Sequence, residues 1–170
     1  MLSERMQTAL NQQINEEMYS AYIYLSMAAY FHGLNLDGFA NWMRIQYQEE
    51  TAHAMKFYDY IYERGGDVTL LPIAGPPKTW ESPLHVFQEA YNHECKVSGL
   101  INELVNLAIE EKDHATLNFL QWFVSEQVEE EASADKIVQS LRLIDGNPAA
   151  LFMLDREMAQ RSPEEDEDEE

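Results

Sequence analysis

Two sets of polar residues, repeated with one spacing, have side chains that can bind divalent metal ions. The two sets, related by a constant offset of 77 residues, are Glu17, Glu50 and His53, and Glu94, Gln127 and Glu130. Carboxylate oxygens with a single imidazole suit Fe(II) or Mn(II) better than a metal that prefers thiolates. Unpaired carboxylates in an apolar core cost several kcal/mol each, and two divalent cations would neutralise them. We therefore predict a site for two metal ions.

Four long stretches that nearly lack Gly and Pro carry these residues, and each stretch predicts a helix. The stretches are residues 4–32, 38–64, 84–112 and 114–145, followed by a short fifth helix from 148 to about 160. The candidate ligands interrupt an apolar seam near the middle of each long helix. The predicted caps at the helix starts are Asp37, Ser82 and Asp113. No stretch alternates like a strand, so the fold class is all-α.

The spacing of the candidates around the predicted turns indicates that they lie at one height. Antiparallel helices joined by a tight turn place residues opposite each other when both are equally far from the turn. Glu17 and Glu50 are equidistant from the turn at Gly33, and Glu94 and Gln127 flank the second predicted turn in the same way. Each residue lies roughly 25 Å from its turn at 1.5 Å per helical residue. The candidates should therefore meet in the middle of a bundle.

The connection between the second and third helices is long and has no helical period. Residues 65–82 contain Pro72, Pro76 and Pro77. When extended, this segment can span ~55 Å, which exceeds the ~40 Å length of the second helix. The third helix can therefore start at the far end and run parallel to the second. Two hairpins joined by one long crossover form a four-helix bundle.

Further acidic residues and one tyrosine lie next to the predicted site. Glu49, Glu126 and Glu129 flank the first candidates. They form either a solvated helix face or a third, weaker metal position that shares Glu130. Tyr24 lies on the first seam, where it can be a core residue or can donate an electron or a hydrogen bond to the site.

The composition excludes several classes of partner. The 170 residues carry 31 Asp and Glu against 11 Lys and Arg, a formal net charge of -20. Such a chain does not bind nucleic acid or an anionic membrane through a basic patch. The sequence has no apolar run long enough for a transmembrane helix and no apolar stretch in residues 1–13 that marks secretion. Because Cys95 is the only cysteine, the simplest location is the cytoplasm.

Taken together, these motifs resemble those of prokaryotic non-haem ferritins over residues 1–160. The matching motifs are Glu17, Tyr24, Glu49-Glu50-Thr51-Ala52-His53, Glu94 and the segment WFVSEQVEE at 122–130. The resemblance implies a ferritin-like antiparallel four-helix bundle with one long crossover and a short fifth C-terminal helix. It makes residues 1–160 a ferritin-like diiron domain, and residues 161–170 follow as an acidic tail that we expect to be disordered.

The resemblance also implies a ferroxidase that oxidises Fe(II) with dioxygen or hydrogen peroxide, in which Tyr24 belongs to the catalytic set. The ligands implied for the two irons are Glu17, Glu50 and His53 for one, and Glu50 and Glu94 for the other, with Glu130 as a further candidate and Gln127 nearby. It further implies a cage of twenty-four identical chains that stores ferric oxyhydroxide. Such a protein would serve iron storage and detoxification.

The sequence differs from the related bacterioferritins at two places. Bacterioferritins have a second E-x-x-H motif, and here its place is taken by Gln127 and Glu130. Their haem-ligating Met is replaced by Thr51, so haem is not expected. Two alternatives stay open: a dimetal oxygenase or peroxidase of the same bundle fold, and a non-catalytic helical scaffold with its carboxylates on solvated faces.

Overall fold

The protein folds into four long helices and one short helix. A computed structural model describes residues 2–163, and this part of the chain contains no strand. The helices are α1 (Glu4–Gly33), α2 (Asp37–Glu63), α3 (Pro83–Glu111), α4 (His114–Ile144) and α5 (Pro148–Met158). The all-α prediction is thus confirmed. Of the tail that we predicted to be disordered at 161–170, residues 164–170 lie outside the described residues.

Short polar side chains begin four of the five helices. Each accepts a hydrogen bond from a backbone N–H of the first turn, and the four residues are Ser3, Ser82, Asp113 and Asn147. The prediction that Asp37 caps α2 is wrong. Leu36 occupies the cap position without a side-chain hydrogen bond, and Asp37 is the first helical residue. There its carboxylate still interacts favourably with the positive end of the helix dipole.

The bundle consists of two helical hairpins, α1 with α2 and α3 with α4. The crossover between them runs along α1, where Asn11 Oδ1 accepts a hydrogen bond from the Thr69 backbone N–H at 2.7 Å. Towards the other end of α1, the Tyr30 ring packs against Trp80 at 5.5 Å between centroids. The crossover therefore passes from one end of the bundle to the other, and α3 runs parallel to α2, as the sequence predicts.

Two apolar clusters fill the ends of the bundle. One contains Phe31 and Phe87, and the other contains Leu10 and Phe123. Between them lies a layer of buried polar side chains, because the seams carry Glu, Gln and His at mid-height. None of the helices within residues 2–163 combines the length and the apolar character needed to cross a membrane.

Helix α5 lies against the start of α2. The Phe39 backbone N–H donates to Asp155 Oδ1 at 3.0 Å. A Cβ atom on Gly38 would lie only 1.6 Å from the Asp155 backbone oxygen. Only glycine therefore permits this close approach of the two helices.

We expect Gly38→Ala to destabilise the protein by about 1–3 kcal/mol, since a well-packed contact must open to admit the methyl group. Chemical denaturation monitored by circular dichroism measures the change. Gly99→Ala is the matched control, because Gly99 lies in α3 with no atom within 4 Å of the added Cβ. It should be neutral or stabilising by about 0.4–1 kcal/mol. Equal stability of the two variants would contradict the described contact between α2 and α5.

Candidate metal centre

Each of the four long helices contributes at least one buried polar residue to the middle of the bundle. Glu17 comes from α1, Glu50 and His53 come from α2, Glu94 comes from α3, and Gln127 and Glu130 come from α4. All six side chains are buried. The helix seams and the turn-centred spacing thus bring together the six residues that the sequence singles out.

Glu17, Glu50 and His53 form a fully buried group of potential ligands. One ligand atom from each residue lies within 4.8 Å of the other two, and His53 Nδ1 is 3.6 Å from Glu50 Oε2. Gln13 Nε2 donates to Glu17 Oε1 at 2.8 Å. Glu17 Oε2 is buried and has no hydrogen-bond partner. Buried polar atoms are nearly always paired, so an unpaired carboxylate oxygen beside another carboxylate and an imidazole fits a cation ligand.

Glu94 is held in place by two neighbours. The Tyr24 hydroxyl donates a hydrogen bond to Glu94 Oε1. Gln127 Nε2 lies 3.2 Å from Glu94 Oε2 and 3.2 Å from the Glu94 backbone oxygen. Both carboxylate oxygens are therefore oriented by donors from α1 and α4. The amide group of Gln127 acts here as a hydrogen-bond donor to Glu94.

Gln46 connects the two remaining acids. Its Nε2 donates to Glu50 Oε1 at 3.1 Å and to Glu130 Oε2 at 2.7 Å. The sequence prediction missed this residue, although Gln46 is a polar residue on the second seam one turn before Glu50. The only feature of the sequence that could have indicated this role is an amide side chain at a seam position next to Glu50. The side chain bridges α2 and α4 at the height of the site.

The three flanking acids, Glu49, Glu126 and Glu129, have different neighbours. Glu126 Oε1 lies 3.8 Å from His53 Nε2, and His53, Glu126 and Glu130 form a second group of potential ligands within 4.8 Å. Glu49 instead pairs with Arg161 at 2.5 Å. Glu129 is exposed and belongs to neither ligand group found within residues 2–163.

Aromatic rings fix the orientation of the imidazole. The His53 ring lies edge-on to Trp122 at 5.4 Å and to Phe123 at 6.1 Å between centroids. Nδ1 of His53 then faces Glu50 while Nε2 faces Glu126. A metal-binding imidazole commonly has its second nitrogen near a carboxylate, which sets the tautomer. Nδ1 is therefore the nitrogen available to a cation next to Glu17 and Glu50.

Burial favours the neutral, protonated form of the four buried glutamates. It raises the pKa of Glu17 and of Glu94 to about 8, and the charge of Glu50 adds to the effect on both. The pKa values of Glu50 and Glu130 are also raised, mainly by burial. Burial and the Glu94 carboxylate raise the pKa of the Tyr24 phenol well above its ordinary value. A divalent cation that binds these carboxylates must displace their protons.

These shifts predict how the stability of the metal-free protein depends on pH. An unfolded Glu has a pKa of 4.5, whereas Glu17 and Glu94 keep their protons to about pH 8 in the folded chain. Between pH 4.5 and about pH 8 the folded state therefore binds more protons than the unfolded state. The free energy of unfolding should fall as the pH rises through this range. Thermal melting of chelator-treated protein measures this trend.

The variant Glu94→Gln provides the control for this prediction. Its amide cannot titrate, so its melting temperature should fall less steeply with pH than that of the wild type. Divalent cations should restore stability at the alkaline end. Equal slopes for the two proteins would contradict the buried, protonated state of Glu94.

Comparison with known proteins places this geometry in a family. The model of the ferritin-like domain of the ferritin family matches residues 7–144. The chain belongs to the ferritin family. It is 45% identical over 161 residues to the bacterial non-heme ferritin of Bacteroides fragilis (strain 638R), covering 95% of this chain and 100% of the relative. The bacterial non-heme ferritin of Staphylococcus saprophyticus is 38% identical over 167 residues, covering 98% and 100%.

Solved ferritin structures share the fold. The open pore ferritin of the hyperthermophilic archaeon Archaeoglobus fulgidus superposes with a TM-score of 0.95 at 56% identity, covering 95% of this chain and 100% of that one. A form of the same ferritin engineered to be closed also superposes with a TM-score of 0.95 and covers 96% of this chain. The predicted resemblance to non-haem ferritins and the predicted four-helix bundle are therefore confirmed.

Proposed function

We propose that this ferritin oxidises Fe(II) to Fe(III) with dioxygen at the mid-bundle centre and stores the product as a ferric oxyhydroxide mineral. The observation that carries the proposal is the buried group of Glu17, Glu50 and His53, in which one carboxylate oxygen of Glu17 has no hydrogen-bond partner. A buried group of carboxyl and imidazole ligands of this kind binds divalent cations as its carboxyl groups lose their protons. Family membership supports iron as the cation.

Two sets of side chains from this chain each bind one Fe(II) substrate ion. Glu17, Glu50 and His53 Nδ1 bind one ion, and Glu50, Glu94 and Glu130 bind the other. Glu50 belongs to both sets because its charge acts on Glu17 and the charge of Glu130 acts on it. Tyr24 holds Glu94 in position. A third ion has a weaker position that shares Glu130 and uses the flanking acids Glu49, Glu126 and Glu129; Glu126 and Glu130 already lie in one group of potential ligands.

The electron balance requires both ions. Two Fe(II) give one electron each, and one dioxygen takes both electrons and two protons to become hydrogen peroxide. Hydrogen peroxide can itself serve as oxidant, accepting two electrons and two protons to give two water molecules. The cations displace protons from the buried carboxyl groups as they bind, which supplies protons close to the oxidant.

Exposed apolar side chains support assembly with further copies of the chain. Five large apolar side chains are at least 40% exposed: Tyr22, Leu25 and Tyr62 on the first hairpin, and Leu70 and Ile73 on the crossover. Large exposed apolar patches usually mark interaction surfaces. We infer a hollow cage of twenty-four chains in the cytoplasm. Its mass would be about 470 kDa for a chain of 19.7 kDa if the assembly is a symmetric homo-oligomer.

An oxygen pulse after anaerobic Fe(II) loading tests the proposal. We expect rapid formation of Fe(III) for the first two ions per chain, much faster than in buffer alone, followed by slower mineral growth. Size-exclusion chromatography should show the iron eluting with a large assembly. Oxidation no faster than in buffer would contradict the ferroxidase proposal, and iron that elutes apart from the protein would contradict storage.

A further inference from the structure

The segment that follows α5 is fixed against α2. The Asn41 side-chain amide donates to the Arg161 backbone oxygen at 3.1 Å. The contact between Asp155 and the Phe39 backbone N–H holds the preceding helix. The Arg161 side chain is thus directed along α2 towards the middle of the bundle. Its position depends on tertiary contacts far from it in sequence.

The Arg161 guanidinium has three partners on α2. Its Nη2 donates to Glu49 Oε2 at 2.5 Å, and its Nη1 donates to Gln46 Oε1 at 3.0 Å. Its Cζ lies 4.4 Å from the centre of the Trp42 ring. Only 22% of the Arg161 side chain and 19% of the Glu49 side chain are exposed. A forked, stacked guanidinium at such a depth is a specific contact, which a lysine does not reproduce.

Gln46 transmits this contact to the metal centre. Its amide oxygen accepts from Arg161, so its amide nitrogen points the other way, to Glu50 and Glu130. If the amide were reversed, its NH2 group would face the positive guanidinium. Arg161 therefore fixes which end of the Gln46 amide meets the two carboxylates. The guanidinium also places a positive charge 2.5 Å from Glu49 Oε2.

We propose that Arg161 is a positioning residue and a built-in cation of the metal centre: it orients Gln46 towards Glu50 and Glu130, and its charge beside Glu49 Oε2 competes with a third metal ion for Glu49. This inference rests on the proposed binding of two metal ions at mid-bundle.

Anaerobic titration with Co(II) tests the inference, because Co(II) is not oxidised by air-free buffer and reports its coordination in visible absorption. Wild type should bind two ions per chain tightly and a third weakly. Arg161→Gln should tighten the third position about tenfold, which corresponds to the removal of a competing charge of about 1.4 kcal/mol. The double variant R161Q/E49Q should lose this gain. Arg161→Lys keeps a positive charge near Glu49 and should stay closer to wild type than R161Q.

The matched control is Arg156→Gln. Arg156 is a cation of α5 that stacks over the exposed Phe152 ring at 6.0 Å, away from Glu49, so the control should titrate like wild type. An unchanged third position in R161Q, or equal tightening in R161Q and R161K, would overturn the inference even if the melting temperature falls. Those results would leave the proposed function intact. A wild type that binds no Co(II) tightly would overturn both.

Discussion

Replacement of Glu50 by alanine should abolish rapid Fe(II) oxidation, lowering the rate of the first phase by about 100-fold or more. Glu50 faces His53 Nδ1 at 3.6 Å and accepts a hydrogen bond from Gln46. It interacts electrostatically with Glu17, Glu94 and Glu130. Because it is the one acid shared by both proposed ion positions, its loss should weaken both. Stopped-flow absorbance of Fe(III) after mixing with oxygenated buffer measures the rate.

Two comparisons make the Glu50 result specific. Glu103→Ala removes an exposed acid from α3 and should leave the rapid phase unchanged. Glu50→Gln keeps the shape of the side chain but lacks the charge, so it should be nearly as slow as the alanine variant. Circular dichroism establishes that each variant is folded. A Glu50→Ala protein that oxidises Fe(II) at the wild-type rate would show that the two ions bind elsewhere.

Replacement of Tyr24 by phenylalanine should slow the rapid phase by about tenfold, the effect expected when a residue that orients a metal ligand is lost. The hydroxyl is the donor that anchors Glu94 Oε1, and the ring lies edge-on to Trp42. The substitution preserves the packing and removes only the donor. The amplitude of the rapid phase, which counts the ions bound, should change less than its rate.

Tyr30→Phe is the matched control for Tyr24. Tyr30 lies on the same helix, and its ring packs against Phe31 and Trp80 rather than against the metal centre. Its loss should leave oxidation unchanged. Equal rates for wild type and Tyr24→Phe would contradict a positioning role for the Tyr24 hydroxyl.

Much of the site could be predicted because helical geometry converts sequence spacing into position. Glu17 and Glu50 face each other because both are equally far from one tight turn, and the same relation holds for Glu94 and Gln127. Glu50 and His53 lie on one helix face because they are three residues apart in α2. Polar residues at seam positions are conspicuous because burial penalises them unless they have partners.

The parts that could not be predicted depend on contacts between distant segments. Gln46 is one polar residue among several on its seam, and nothing in the sequence indicates that it bridges Glu50 and Glu130. Arg161 lies beyond the predicted domain boundary at 160, in a segment assigned to the acidic tail. Its contact with Glu49 requires α5 to dock on Gly38, and that close approach is visible only in three dimensions.

The most direct test of the central claim is a crystal structure of the protein soaked anaerobically with Fe(II). We predict one ion between Glu17, Glu50 and His53 Nδ1, and a second between Glu50, Glu94 and Glu130. Both should show anomalous scattering at the iron edge and oxygen distances of about 2.0–2.2 Å, as for other first-row cations. Iron bound only at surface carboxylates, with none among the six buried mid-bundle residues, would contradict the account.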